Sequence, residues 1–218
     1  GYNGYGQLGL GNTSNYLEPT KTTMSDVIDI AAGANVSAVL KKDGTVWVSG
    51  QNNYGQLGQG DTKKLEAFTK VKSENGIDYL SDIIAISASN YCMAALKKDG
   101  TVYAWGLNTS GQLGIGTTTN IYVPTKVRKV NNIMDISAGS NHLVLLDSNG
   151  TVWATGKNNY GQLGNNTTTD ATIPTKVLNV DGTEEIKNII KIASGEKFTI
   201  LLDESGKVYS FGYNNYGQ

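Results

Sequence analysis

Gly55-Gln56-Leu57-Gly58 returns as Gly6 to Gly9, Gly111 to Gly114 and Gly161 to Gly164, and Gly217-Gln218 begins a further copy. Successive copies lie 49, 56, 50 and 56 residues apart, counted from Gly6 to Gly55, Gly111, Gly161 and Gly217. Self-similarity at this period is the signature of a repeat architecture, in which one continuous core runs through all the units. Residues 1–7 read GYNGYGQ and residues 212–218 read GYNNYGQ, so the sequence returns to the phase at which it starts. The reading is a single repeat domain over residues 1–218, with units at approximately 6–54, 55–110, 111–160 and 161–216.

Within a unit the order is constant. After the GQLG loop comes a segment that carries proline in three copies, Glu18-Pro19-Thr20-Lys21, Val123-Pro124-Thr125-Lys126 and Ile173-Pro174-Thr175-Lys176, and reads Ala67-Phe68-Thr69-Lys70 in the other. Proline has no donor to give to a ladder, which places this segment as the outermost strand of a sheet. Next comes a short β-rich run ending in three small residues, as in Ile28-Asp29-Ile30-Ala31-Ala32-Gly33 and Met134-Asp135-Ile136-Ser137-Ala138-Gly139. Small side chains suit the place where the inner strands of several sheets converge. Ser89 stands at the glycine position of one copy, so that bend does not demand positive φ.

A hairpin follows, turning at Asp43-Gly44, Asp99-Gly100, Asn149-Gly150 or Ser205-Gly206 between apolar strands. The dipeptides predict type I′ turns. The returning strand carries Trp47, Tyr103 with Trp105, Trp153, or Tyr209 with Phe211, whose fixed phase predicts core packing between neighbouring sheets. It ends at Gly50-Gln51-Asn52 or its equivalents and re-enters GQLG. There the glycines give backbone freedom, Leu57 and its equivalents anchor the loop, and the glutamine amide is expected to bridge backbone groups of adjacent units. No stretch shows sustained helical periodicity. Each unit therefore offers about four short strands in about 50 residues, the content of one β-propeller blade.

Eighteen basic and nineteen acidic side chains leave a net charge of −1 with no basic stripe. Nucleic acid and anionic membranes are therefore not the expected partners. No apolar run is long enough for a membrane helix. The single cysteine, Cys92, excludes an internal disulfide and reads as a small buried hydrophobe. No Ser-His-Asp set and no carboxylate pair recurs at a shared phase, and the single histidine, His142, shares its phase with Val36, Cys92 and Phe198, which makes it a packing residue. The expectation is a non-enzyme with no cofactor and no metal.

The pattern Gly-Thr-Val-aromatic-x-x-Gly-x-Asn-x-x-Gly-Gln-Leu-Gly, together with Ser137 to Leu146, resembles the regulator of chromosome condensation repeat, over essentially all 218 residues. The resemblance implies an all-β fold, a β-propeller of about four-stranded blades, usually seven. Four units then form an arc of a larger ring, with open blade edges that invite self-association. One branch of the family exchanges nucleotide on the small GTPase Ran and sits on chromatin, a role for which this chain lacks a basic segment. Another, the seven-bladed β-lactamase inhibitor proteins, is bacterial and secreted. Its resemblance implies a binding face just after the small-residue bend; a bacterial secreted or cell-surface origin is the expectation, the surface part of it from abundant Thr, Asn and Tyr with scarce Cys.

On this sequence those positions are Ala34-Asn35, Asn90-Tyr91, Ser140-Asn141 and Glu196-Lys197. They differ between units while their neighbours stay alike, as binding residues on a fixed scaffold would. The candidate partner-binding residues are Asn35, Asn90, Tyr91, Asn141, Glu196 and Lys197, with Tyr91 the one aromatic anchor. The leading functional expectation is a non-catalytic protein-interaction module. Alternatives are an inhibitor or regulator of an enzyme or GTPase, and a carbohydrate-binding module using Tyr5, Tyr54, Tyr160 and Tyr216. Alternate units carry six or seven extra residues, around 73–79 and 179–185, read either as loop drift in an ancestral pair of blades or as acidic loops that touch a partner.

Overall fold

The computed structural model describes residues 1–218 and contains fifteen strands and no helix. It divides into two compact units, one comprising Gly1–Lys98, Tyr103–Leu107 and Asn120–Thr125, the other Asp99–Val102, Asn108–Thr119 and Lys126–Gln218. The first unit holds one sheet of β1 (Val27–Ala32), β2 (Val36–Lys41), β3 (Val46–Gly50) and β4 (Leu65–Lys70), and nearly all of a second, of β5 (Ile83–Ala88), β6 (Cys92–Lys97), β7 (Val102–Gly106) and β8 (Ile121–Lys126). The second unit holds β9 (Ile133–Ala138), β10 (His142–Asp147), β11 (Val152–Gly156) and β12 (Ala171–Lys176) in one sheet, and β13 (Ile189–Ser194), β14 (Phe198–Asp203) and β15 (Val208–Gly212) in another. Each sheet follows chain order, as an antiparallel meander does.

The strand after GQLG is the outermost one, as expected, in β4, β8 and β12. It joins the sheet whose inner strands precede that GQLG: Trp47 pairs with Lys70 and Trp153 with Lys176. Glu18 to Lys21 is the exception and forms no strand.

The hairpin turns differ from expectation. Positive φ occurs at Gly44, Gly100, Gly150 and Gly206 but not at the residues before them, so the turns are not type I′. The connection is four residues long, Lys42 to Thr45, and the aspartate stabilises it directly. Asp43 Oδ1 accepts from the Thr45 amide at 3.0 Å and from its hydroxyl at 2.6 Å, and the same hydroxyl bond holds the Asp43 carboxyl below its ordinary pKa. In the second unit the carboxylate has moved to the end of the preceding strand: Asp147 Oδ1 accepts from the amides of Asn149 and Thr151, and Asp203 Oδ1 from those of Ser205 and Lys207.

Apolar packing follows the strand phase. In the first unit Leu40, Val46, Leu57, Val71, Ile83 and Trp105 form one buried cluster. In the second, Leu146, Val152, Leu163, Val177, Ile189 and Leu201 form another. The expectation that every strand aromatic lies in the core needs correction. Trp105 is fully buried and donates its indole N–H to the Gln56 carbonyl at 2.9 Å, but Trp47 and Trp153 are only half-buried. Their N–H groups bond to Thr45 Oγ1 and Asp147 Oδ2 of the nearby turn, and Lys41 and Lys176 lie over their rings. Residues two apart share one face of a strand, so the columns 47/103/153/209 and 49/105/155/211 differ in place along the strand: the first lies beside the hairpin turn and is half-buried, the second lies one step further from it.

One irregularity recurs in all four inner strands. The register slips between Val27 and Asp29, Ile83 and Ala85, and Ile189 and Lys191, and where β10 passes from Asp135 to Ile133. The extra residue of each bulge is Ile28, Ile84, Met134 or Ile190, and all four are more than half exposed. Each strand is entered from an Asp or Asn at positive φ, Asp26, Asp82, Asn132 or Asn188, whose carbonyl accepts from the residue opening the facing turn.

Candidate functional site

At the opposite end of each four-stranded sheet from the hairpin turn, a buried asparagine organises the GQLG loop. Asn52 Oδ1 accepts the Leu57 amide at 2.9 Å while its Nδ2 donates to the carbonyls of Asp61 and Lys63. Asn108 repeats this with Leu113, Thr117 and Thr119, and Asn158 with Leu163, Thr167 and Thr169. One side chain thus closes both ends of a loop that has no strand pairing of its own. The glutamine does less than expected. Its Oε1 accepts the amide two residues upstream, at Tyr5, Tyr54, Ser110 and Tyr160, and so caps its own loop rather than bridging units.

The bend after each inner strand is tied to this loop. The carbonyls of Asn35, Tyr91, Asn141 and Lys197 accept the amides of Gln51, Leu107, Lys157 and Tyr213 at 2.8–3.0 Å. No bend glycine has positive φ, as Ser89 implied; close packing is the reason for glycine. A Cβ on Gly139 would lie 2.2 Å from His142 Cε1, and one on Gly195 would lie 2.1 Å from Phe198 Cε1. Ser89 is tolerated because the residue at this phase is the smaller Cys92, whose Sγ lies 3.1 Å from the Ser89 hydroxyl.

The sequence-derived candidates thus fall on one rim in each unit. In the first, Asn35 is half-buried and donates to Gln51 Oε1 at 3.1 Å, Asn90 Oδ1 accepts the Ala34 amide, and Tyr91 packs edge-to-face on Tyr54 at 5.3 Å. In the second, Asn141 is half-buried, and Lys197 bonds to Glu196 at 3.1 Å and lies 5.5 Å above the Tyr213 ring. The hydrogen bond to Glu196 raises the Lys197 pKa. Tyr213 in turn packs edge-to-face on Tyr160 at 4.8 Å and Tyr216 at 6.0 Å.

A second variable column, Gln51, Leu107, Lys157 and Tyr213, sits against the first and escaped the sequence reading. Its signal was available, since it too fails to repeat between the repeating Gly and Asn of Gly-x-Asn. The inserted segments 73–79 and 179–185 lie at the hairpin-turn end instead, closed by the bridges Lys72 to Tyr79 and Leu178 to Glu185. In the second unit the insert also meets the GQLG loop, with Gly182 against Asn166 and Val180 lining the same groove as Gly161 and Gly164.

His142 is fully buried in the second unit. Thr199 Oγ1 donates to the Gln162 carbonyl at 2.9 Å, so it accepts from His142 at 3.1 Å; this assigns the imidazole proton to Nε2 and leaves Nδ1 an unprotonated acceptor. Burial pushes its pKa down to about 4, which keeps it neutral. Burial likewise pushes the Cys92 thiol up to about 11. Neither group opens onto a cleft with a second titratable partner, and no group of three His, Cys, Asp or Glu is placed to hold a metal ion.

Four-stranded antiparallel meanders, repeated in phase and each closed by an asparagine-held loop, define a β-propeller repeat protein. The chain belongs to the RCC1-like domain family, whose pattern matches residues 1–218. It is 33% identical over 133 residues to the human X-linked retinitis pigmentosa GTPase regulator, covering 58% of this chain and 12% of that one. With protein pim1 of Schizosaccharomyces pombe it shares 30% identity over 100 residues, 45% of this chain and 18% of the relative. Among solved structures it superposes on human WBSCR16 with a TM-score of 0.83 at 24% identity, covering 99% of this chain and 56% of that one. On Prp20p of Saccharomyces cerevisiae, a protein described with binding properties toward Gsp1p and histones, the TM-score is 0.77 at 22% identity, over 97% and 51%. The chain spans less than a fifth of these curated relatives and about half of these solved chains. The named relatives are eukaryotic, and nothing among them supports the expected bacterial, secreted or surface origin.

Proposed function

We propose that residues 1–218 act as one repeat domain, a non-catalytic module that binds a protein partner through the rim residues Asn35, Asn90 and Tyr91 of one unit and Asn141, Glu196 and Lys197 of the other. The observation that carries this reading is a division of labour along the rim. Side chains that hold the loops, Asn52, Asn108 and Asn158 with Leu57, Leu113 and Leu163, repeat and are buried, whereas the bend side chains are half-buried or exposed and, apart from Asn35 and Asn141, do not repeat. Evolution of a scaffold fixes the former, and only an external partner gives the latter a reason to differ.

A more specific reading, regulation of a GTPase, draws support from the likeness to the human X-linked retinitis pigmentosa GTPase regulator. The carbohydrate alternative is weakened by packing, since Tyr54 and Tyr160 already contact Tyr91 and Tyr213. The test is affinity capture followed by titration of the purified partner against Tyr91→Ala and against Tyr79→Ala, an exposed tyrosine at the hairpin-turn end. Tyr91→Ala is expected to weaken binding by about 1–2 kcal/mol, with Tyr79→Ala neutral. Unchanged affinity for Tyr91→Ala, or an equal loss for both, removes the rim from consideration.

A further inference from the structure

The rim of the first unit carries a relay of side-chain amides whose orientation is fixed from one end. Gln7 Oε1 accepts the Tyr5 amide at 3.1 Å, so its Nε2 is the atom turned toward Asn35, where it donates to Oδ1 at 3.5 Å. Asn35 then presents its Nδ2 on the other side and donates to Gln51 Oε1 at 3.1 Å. Gln51 is left with its Nε2 as the last group of the relay, reaching the surface and bonded to nothing in the protein. Asn90 ends the same way. Its Oδ1 accepts the amide of Ala34, the residue next to Asn35, at 3.2 Å, and its Nδ2 has no acceptor.

A third amide adds to these two. Gln56 is fully buried, its Oε1 accepts the Tyr54 amide at 2.9 Å, and its Nε2 meets no acceptor. It lies behind Tyr91: a Cβ on Gly106 would come 2.4 Å from the Tyr91 carbonyl oxygen and 3.3 Å from Gln56 Cα, and the Tyr91 ring packs on Tyr54. Three primary amides thus gather around the bend residues of one unit with every oxygen occupied and their N–H groups unmatched. Unmatched donors in a folded protein call for an explanation, and a group supplied from outside is one. None of Asn35, Gln51, Tyr54, Gln56, Asn90 and Tyr91 carries a charge. In the second unit Gln112 Nε2 is unmatched as well, but the variable columns there bring Lys157, Glu196 and Lys197, so the neutral, donor-only character belongs to the first unit.

We infer that this part of the rim receives a carboxylate side chain of the protein partner. The inference rests on the partner-binding role proposed for the rim and names the group that the rim recognises. An ionised carboxylate accepts at both oxygens and donates nothing, which complements amides that have only N–H groups left to offer. A main-chain amide of the partner would bring an N–H of its own, and no amide oxygen of this surface remains unbonded to take it. A phosphate is matched by Arg or Lys, and neither stands among these residues. Hydrogen bonds from neutral donors to a charged acceptor are the stronger kind, and the positive end of the Gln56 amide favours negative charge at the same place. The Tyr91 ring, next to Asn90 in sequence, gives the methylenes of an incoming Asp or Glu an apolar face.

Gln51→Glu and Asn90→Asp test this without disturbing the scaffold. Each keeps the oxygen that holds it, against Asn35 Nδ2 or the Ala34 amide, and exchanges only the outward NH2 for an oxygen bearing negative charge. The probe is N-acetylglutamate α-amide, titrated into the whole chain while the side-chain NH2 signals of Gln51 and Asn90 are followed by 15N NMR. Saturable shifts are expected at both, with N-acetylglutamine α-amide and inorganic phosphate binding at least about ten-fold more weakly. Each variant is expected to weaken the probe by at least about ten-fold at an unchanged melting temperature; should buried Gln51→Glu lower that temperature, half-buried Asn90→Asp decides. Absent or unsaturable shifts, an equal response to the glutamine analogue or to phosphate, or undiminished binding by Asn90→Asp overturns the proposal. The partner-binding reading fails separately. A purified partner that loses affinity on Tyr91→Ala but not on Asn90→Asp discards the carboxylate alone, whereas no loss on Tyr91→Ala discards the rim.

Discussion

Replacing Asn158 with alanine isolates what the buried asparagine contributes to a blade. Its Oδ1 accepts the Leu163 amide at 2.9 Å, and its Nδ2 donates to Thr167 O at 2.9 Å and Thr169 O at 3.1 Å. Asn158 and Leu163 are both fully buried, whereas Thr167 and Thr169 are exposed. The two carbonyls can therefore turn to water at little cost, and the loss concentrates on one N–H left without an acceptor. Such an orphan costs about 1–3 kcal/mol, and the loosened loop adds the partial release of Leu163, so about 2–4 kcal/mol is expected in all. In a chain of this length that corresponds to a fall of roughly 5–12 °C in Tm. Urea unfolding measures the total, and amide hydrogen exchange at Leu163 measures its location. Asn159→Ala, on the exposed neighbour, should change neither. A loss below about 0.5 kcal/mol, or Leu163 exchange unaltered relative to its flanks, would refute the argument that this side chain holds the loop.

Trp105→Ala is expected to cost about 3–5 kcal/mol, as truncation of a fully buried aromatic does, and half-buried Trp153→Ala distinctly less; equal melting shifts would show that position along the strand does not decide which aromatic belongs to the core. Gly139→Ser should destabilise the chain by more than about 2 kcal/mol against the His142 ring, and His142→Cys added to it should restore most of the loss, as Ser89 and Cys92 coexist; a double variant no better than the single would discard this pairing. Acidification tests His142 itself, whose pKa is 6.5 in the unfolded chain and about 4 when folded. Above 6.5 both states are neutral and nothing is lost; from 6.5 down to about 4 the unfolded state takes the proton first, so stability falls by up to roughly 3 kcal/mol across that window. His142→Phe should remove that component of the pH dependence, as measured by urea midpoints between pH 7 and pH 4.

The repeat carried most of the fold in advance, because a residue that recurs at one phase in four copies reports its environment four times. Strand order, the outer position of the Pro-Thr-Lys segment and the tight bend at Gly33 were legible for that reason. Turn type was not, because Asp43-Gly44 signals a turn without saying that Lys42 and Thr45 belong to it and that the carboxylate does the capping. The aromatic columns misled for a related cause. Ser49 and Thr155 occupy the phase of Trp105 and Phe211, and two small polar residues hide a core position that two large aromatics fill. Asn52 and its equivalents were visible in the motif but unassigned, since a bond from one side chain to three backbone groups of a loop leaves no periodic trace. At the rim, divergence between copies pointed to the bend residues, and the neighbouring column of Gln51, Leu107, Lys157 and Tyr213 became evident only when their amides were seen bonded to the bend carbonyls.

The bulge shared by the four inner strands has a consequence for how the molecule survives in a crowded solution. β1, β5, β9 and β13 are sheet edges, and an edge of regular pleat is a template on which any extended chain can grow. An extra residue near the start of each breaks the spacing of its donors and acceptors and increases the local twist, so a foreign strand finds no continuous ladder to join. The exposed Ile28, Ile84, Met134 and Ile190 are then what remains visible of a guard against fibril-like growth.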